Sequence, residues 1–180
     1  HPERLVKLLQ SLACQVGSEV SYSELANSVG MDKATVEKYI TLLEQIQVIF
    51  RLGSFSRNLR NELKMSKKVY FYDNGIRNAL IGNFNDIALR DDQGKLWENY
   101  MISELKKKHE YTGDYALTYF WRTVQQQEID YLEEKDGVLM AYEFKWNPKK
   151  KARVSKTFLN AYPNSNVITI TPENYYEVLI

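Results

Sequence analysis

Sulfur and imidazole are scarce in this chain: one cysteine, Cys14, and two histidines, His1 and His109, occur in 180 residues. A single thiol excludes an internal disulfide and a cysteine-built zinc cage, and two histidines make a zinc site unexpected. No apolar run approaches a bilayer-spanning length and no secretory signal is present, so no membrane partner is expected and the expected location is cytoplasmic. A Gly-x-x-x-x-Gly-Lys-Ser/Thr phosphate loop is also missing, so ATP hydrolysis is not expected of this chain. The chain begins at His1 rather than Met and is expected to be a piece of something longer.

Net charge is nearly absent too, at +1, but the cations are unevenly placed. Arg51, Arg57, Arg60, Lys64, Lys67 and Lys68 face a single acid, Glu62, and Lys145 to Lys156 holds six basic residues and no acid. Local patches of this kind attract a phosphate backbone even when the whole protein is close to neutral.

Residues 1–81 predict helices followed by a hairpin. Leu5, Val6, Leu8, Leu9, Leu12 and Ala13 form an apolar helical face, on which Cys14 is expected to join the core. Ser21 and Glu24 are spaced as a capping box for a short helix ending at Gly30, and Asp32 is placed to cap the next. In that helix Val36, Tyr39, Ile40, Leu42, Leu43 and Ile46 repeat with helical period. Helix, tight turn and helix, followed by strands at Val48–Leu52 and Val69–Tyr72, predict a winged helix-turn-helix. Lys33, Thr35, Glu37 and Lys38 are the candidate groove-facing residues, and Arg57, Arg60 and Lys64 on the wing are candidates for phosphate contacts. A module that only mediates protein contacts is the competing reading.

Residues 82–94, rich in Asn, Asp and Gly, read as a linker. From 95 to 180 the pattern predicts a helix carrying Glu98, strands at Ala116–Arg122, Glu128–Glu133 and Val138–Trp146, a helix at Val154–Ala161 and a strand at Val167–Thr171. This α-β-β-β-α-β order implies a central sheet flanked by helices, an α/β architecture. Asp130 and Glu143 fall on neighbouring strands, and Lys145 shares a strand face with Glu143. Two carboxylates so placed can hold a hard cation, Mg²⁺ or Mn²⁺, while the lysine steadies an attacking water or the charge growing on a phosphate. Glu98 is expected to complete the outer metal site and Glu128 to serve as an auxiliary acid. Lys149, Lys150, Lys151 and Arg153 either open a solvated helix or guide nucleic acid; Lys106–Lys108 and His109 read as an ordinary helix end.

Glu98 in Leu96-Trp97-Glu98-Asn99-Tyr100, then Asp130, then Glu143-Phe144-Lys145, resembles the restriction-endonuclease-like PD-(D/E)XK fold, with Ile129 where the motif's name has proline. Together with Val36–Leu43, Phe50–Leu52 and Lys68–Gly75, nearly the whole chain resembles the C-terminal region of prokaryotic predicted AAA-type ATPases, a domain of unknown function. The resemblance implies a winged helix joined to a nuclease-like domain with a central mixed sheet, Glu98, Asp130, Glu143 and Lys145 as catalytic residues, DNA as the favoured nucleic acid, and an N-terminal ATPase module in cis through which alone ATP would enter. The alternative function is a non-catalytic interaction or regulatory module of that ATPase.

Overall fold

The computed structural model describes residues 2–56, 66–149 and 154–180, which fall into two compact units: His1–Leu52 with Ser66–Ser103, and Gly53–Met65 with Glu104–Ile180. In the first unit, side-chain caps decide where helices begin. After α1 (Pro2–Cys14), the Ser21 side chain accepts the Glu24 N–H at the start of α2 (Tyr22–Val29), and Gly30, at φ 66°, ends it. Asp32 then accepts the Thr35 N–H at 2.8 Å to open α3 (Lys33–Gln45). Each cap satisfies an amide that the first helical turn leaves without a partner.

Leu8 and Leu12 of α1, Leu25 and Val29 of α2, and Val36, Ile40 and Leu43 of α3 are buried. Ala26 and Val36 line the interior as the helix-turn-helix pattern predicts. Four residues expected in the core are not there. Val6 is 48% exposed and Cys14 is also exposed, because neither shares the helical stripe of Leu8 and Leu12. Leu42 sits one position off the Val36–Ile40–Leu43 stripe and Ile46 follows the last residue of α3 as its C-cap, and they remain 41% and 67% exposed.

β1 (Ile49–Ser54) and β2 (Lys67–Phe71) follow, then α4 (Asn74–Ile81), capped by Asp73, and a 3-10 turn at Ile87–Leu89. The stretch 82–94 lies within this unit. There Arg90 donates to both Asp92 oxygens at 2.8 Å and to the Asn83 carbonyl at 2.7 Å. Arg77 also donates to Asp92, and to the Ala13 carbonyl at 3.0 Å. α5 (Gln93–Thr112) begins in the first unit, where Asn99 accepts the Phe71 N–H at 2.8 Å and donates to the Phe71 carbonyl at 3.0 Å.

The second unit holds β3 (Leu117–Arg122), β4 (Glu128–Lys135), β5 (Val138–Phe144), α6 (Lys156–Ala161), β6 (Asn166–Ile170) and α7 (Tyr176–Leu179). β3–β4 and β4–β5 pair antiparallel and β5–β6 parallel; Gly53 and Ser54 of β1 pair parallel with Tyr119 and Phe120. The chain is thus mixed α/β, with a six-stranded mixed sheet in the order β2-β1-β3-β4-β5-β6. Phe55, Trp121, Ile129, Leu132, Leu139, Ala141 and Phe158 form this unit's apolar core. Among the described residues no helix is long and apolar enough to cross a membrane.

Candidate functional site

A bulge on β4 shapes the site. Tyr119 and Trp121, two apart on β3, pair with Leu132 and Ile129, three apart on β4. The extra β4 residue lets Ile129 and Leu132 both enter the core and breaks strict alternation at Asp130. β4–β5 pairing runs from Lys135↔Val138 to Tyr131↔Tyr142. Just past it, Asp130 Oδ2 accepts the Phe144 N–H at 2.8 Å. The carboxylate thus extends the ladder where a backbone carbonyl would have served.

Glu143 lies beside it on β5 and is only 5% exposed. Lys145 Nζ donates to Glu143 Oε2 at 2.8 Å and lies 3.6 Å from Asp130 Oδ2, so the three expected residues converge. Burial first, and then the charge on Asp130 with a smaller push from Glu128, raise the Glu143 carboxyl against the downward pull of Lys145, to about 7 in all. Burial alone would lower Lys145, but Asp130 and Glu143 outweigh it and hold the ammonium above its usual range. Two hard oxygen donors, one of them kept short of full ionisation chiefly by burial and then by its neighbour's charge, fit a divalent cation, which would offset both. Among the described residues no group of three His, Cys, Asp or Glu side chains is arranged to hold a metal, so the protein would offer such an ion there only these two carboxylates, with the Lys145 ammonium beside them as a charge and not a ligand.

Glu98 belongs to the first unit. Its Oε1 accepts from the Tyr70 hydroxyl at 2.6 Å and lies 3.6 Å from Nζ of the buried Lys68. A Cβ added at Gly17, whose φ is +71°, would come within 3.2 Å of the same oxygen, so the backbone packs closely against the carboxylate. In α3, Lys33 and Lys38 are exposed, whereas the Thr35 hydroxyl donates to Asp32 Oδ2 at 2.6 Å and serves the cap. Arg57, Arg60 and Lys64 lie outside the described residues, as do Lys150, Lys151 and Arg153.

Two polar pairings of the second unit were not anticipated, although Glu128 was named as an auxiliary acid and His109 as an ordinary helix end. His109 Nε2 lies 2.8 Å from Glu133 Oε1, and Tyr142 donates to Glu133 Oε2 at 3.1 Å. Arg122 Nε lies 3.5 Å from Glu128 Oε2. Both depend on strand and helix register, so local sequence carried no signal for either.

Residues 1–87 match the family model described as domain of unknown function DUF8612, and residues 93–178 match that described as domain of unknown function DUF4143. Uncharacterized proteins of Mycobacterium bovis and Mycobacterium tuberculosis are each 28% identical over 141 residues, covering 74% of this chain and 30% of the relative. An uncharacterized protein of Haemophilus influenzae is 23% identical over 178 residues, covering 96% of this chain and 41% of the relative. No solved structure matches. The chain thus joins a DUF8612-like first half to a DUF4143-like second half, and spans less than half the length of the curated relatives it matches.

Proposed function

We propose that the first half is a winged helix that binds DNA and that the second is a restriction-endonuclease-like domain with a metal-dependent phosphodiester-hydrolysing site. The observation that carries this reading is the meeting of Asp130, Glu143 and Lys145, with Lys145 Nζ 2.8 Å from Glu143 and 3.6 Å from Asp130. Charges are costly to bury unless paired or metal-bound, and two carboxylates around one ammonium leave an excess negative charge. Asp130 and Glu143 would hold Mg²⁺ or Mn²⁺, which supplies Lewis acidity and a bound water of lowered pKa. Lys145 orients the attacking water or offsets the charge growing on the phosphate. Exposed Lys33 and Lys38 on α3 support DNA contact by the first half. The greater length of the relatives leaves room for the ATPase module in cis that the sequence resemblance implies.

A second reading, a non-catalytic interaction or regulatory module, draws support from Leu42, exposed on α3, and Ile46, exposed at its C-cap. Calorimetric titration of Mg²⁺ and Mn²⁺ into the wild type and Asp130→Ala separates the two. Binding by the wild type that vanishes in the folded variant supports the metal site; a folded wild type that takes up neither ion refutes it and favours the interaction module.

A further inference from the structure

Near the end of α5, His109 stands between two carboxylates. Its Nε2 lies 2.8 Å from Glu133 Oε1, and Tyr142 donates to Glu133 Oε2 at 3.1 Å. A carboxylate only accepts, so Nε2 carries the proton and the neutral ring presents Nδ1 as a lone pair. Nδ1 is buried and makes no hydrogen bond. It faces Asp114 Oδ2 at 3.8 Å, while Lys135 donates to the other Asp114 oxygen, Oδ1, at 2.6 Å. Two acceptors therefore confront each other, and a buried acceptor without a donor is costly. Tyr142 and Glu143 are neighbours on β5 and point to opposite faces of the sheet, which separates this grouping from the carboxylate pair.

An imidazole whose other ring nitrogen is held by a carboxylate is the arrangement in which histidine binds metal: the carboxylate fixes the tautomer, aims the ring and raises its basicity. A Zn²⁺ about 2.0–2.2 Å from each ligand atom spans a gap of 3.8 Å at an angle of about 130°, wider than tetrahedral but with neither side chain displaced. A cavity of about 210 Å³ with His109, Glu110, Asp114 and Thr118 in its wall offers entry and room for water to complete the coordination. Imidazole with carboxylate suits a borderline ion such as Zn²⁺, whereas Mg²⁺ takes oxygen ligands. One histidine is enough here because Asp114 supplies the second ligand.

We propose that His109 Nδ1 and Asp114 Oδ2 bind a divalent transition metal, Zn²⁺ by its ligand preference, and that Glu133 positions the imidazole for it. The protein supplies two ligands and water the rest. The ion fastens the end of α5 to the segment leading into β3, and the site does not depend on the nuclease-like reading.

The test uses the full chain carrying His1→Ala, which leaves His109 as its one imidazole. Zn²⁺ is titrated in and followed by calorimetry and by the ¹⁵N resonances of the ring, with Mg²⁺ as the comparison. Zn²⁺ should bind and move the Nδ1 resonance, and Mg²⁺ should leave it in place. Asp114→Asn, a change at a partly exposed side chain, should weaken Zn²⁺ binding about tenfold or more, and Glu133→Gln about 10- to 100-fold. Asp130→Ala should leave the Nδ1 response as it was. A folded chain that takes up no Zn²⁺, or takes it up without moving Nδ1, overturns the proposal. Undiminished affinity in Asp114→Asn overturns it too, and undiminished affinity in Glu133→Gln overturns the role given to Glu133. Loss of Zn²⁺ uptake in Asp130→Ala places the ion at the carboxylate pair and overturns the proposal while the metal reading of that pair survives.

Discussion

Removing Asp92 should be among the most damaging single changes in the first unit. Its carboxylate accepts from Arg90 through both oxygens and from Arg77 through one, and those arginines are 7% and 4% exposed. Asp92→Asn keeps the shape but leaves two buried guanidiniums without their shared counter-charge. Breaking a buried ion pair costs about 3–5 kcal/mol. The Asp92 side chain keeps 15% of its surface in water, which favours the lower end, about 3 kcal/mol. For a chain of this size that is a fall in Tm on the order of 6–12 °C. Hydrogen bonds from Arg90, and then from Arg77, hold the Asp92 carboxyl well below the usual carboxylate range, against an opposing push from burial. A depressed folded pKa contributes stability that is fully present above the unfolded value of about 3.9 and is lost as pH falls below it. The gap between wild type and variant should therefore be widest at neutral pH and close progressively below about pH 4. Urea unfolding followed by near-UV circular dichroism, from neutral pH to about pH 3, measures it. A gap under about 1 kcal/mol at neutral pH, or one that does not narrow in acid, would refute the reasoning.

Glu143 has the opposite sign. Its folded pKa is raised, so the ionised form is disfavoured in the fold and the residue costs stability as pH rises from about 4.3 toward 7. In metal-free buffer Glu143→Gln should raise Tm at pH 8 and change it little at pH 4, checked by differential scanning calorimetry; a lower Tm at pH 8 would show that the Lys145 pairing outweighs burial. Asn99→Leu leaves the Phe71 amide and carbonyl without the side chain that bonds both, at a cost of roughly 2–3 kcal/mol in denaturant unfolding. A neutral effect would mean that other groups satisfy the β2 backbone.

Much of the local structure is written in neighbouring residues. Ser21 and Asp32 cap the helices they were expected to cap, and period-two stretches around Ile129 and Ala141 are strands. Where spacing along one element is the whole argument, the prediction survives: Glu143 and Lys145 do meet. It fails where a helical stripe has to be divided between core and water. Leu42 and Val6 have the right chemistry, but their position around the helix leaves them outside, and Ile46 falls just past the helix end.

Through residue type and period, the sequence by itself determined that helices precede a pair of strands, that a Glu98-bearing helix leads into three more, and that Asp130 and Glu143 lie on adjacent strands with Lys145 just past the second. Only the tertiary structure decided what each charge meets. The bulge that turns Asp130 toward the Phe144 amide depends on β3 register. The burial that raises Glu143 depends on what covers β5. The joining of Arg77, Arg90 and Asp92 is a contact between separated segments. Caps and periods act over one or two turns of chain, whereas a carboxylate's proton affinity and an arginine's partner are set by groups that only folding brings near.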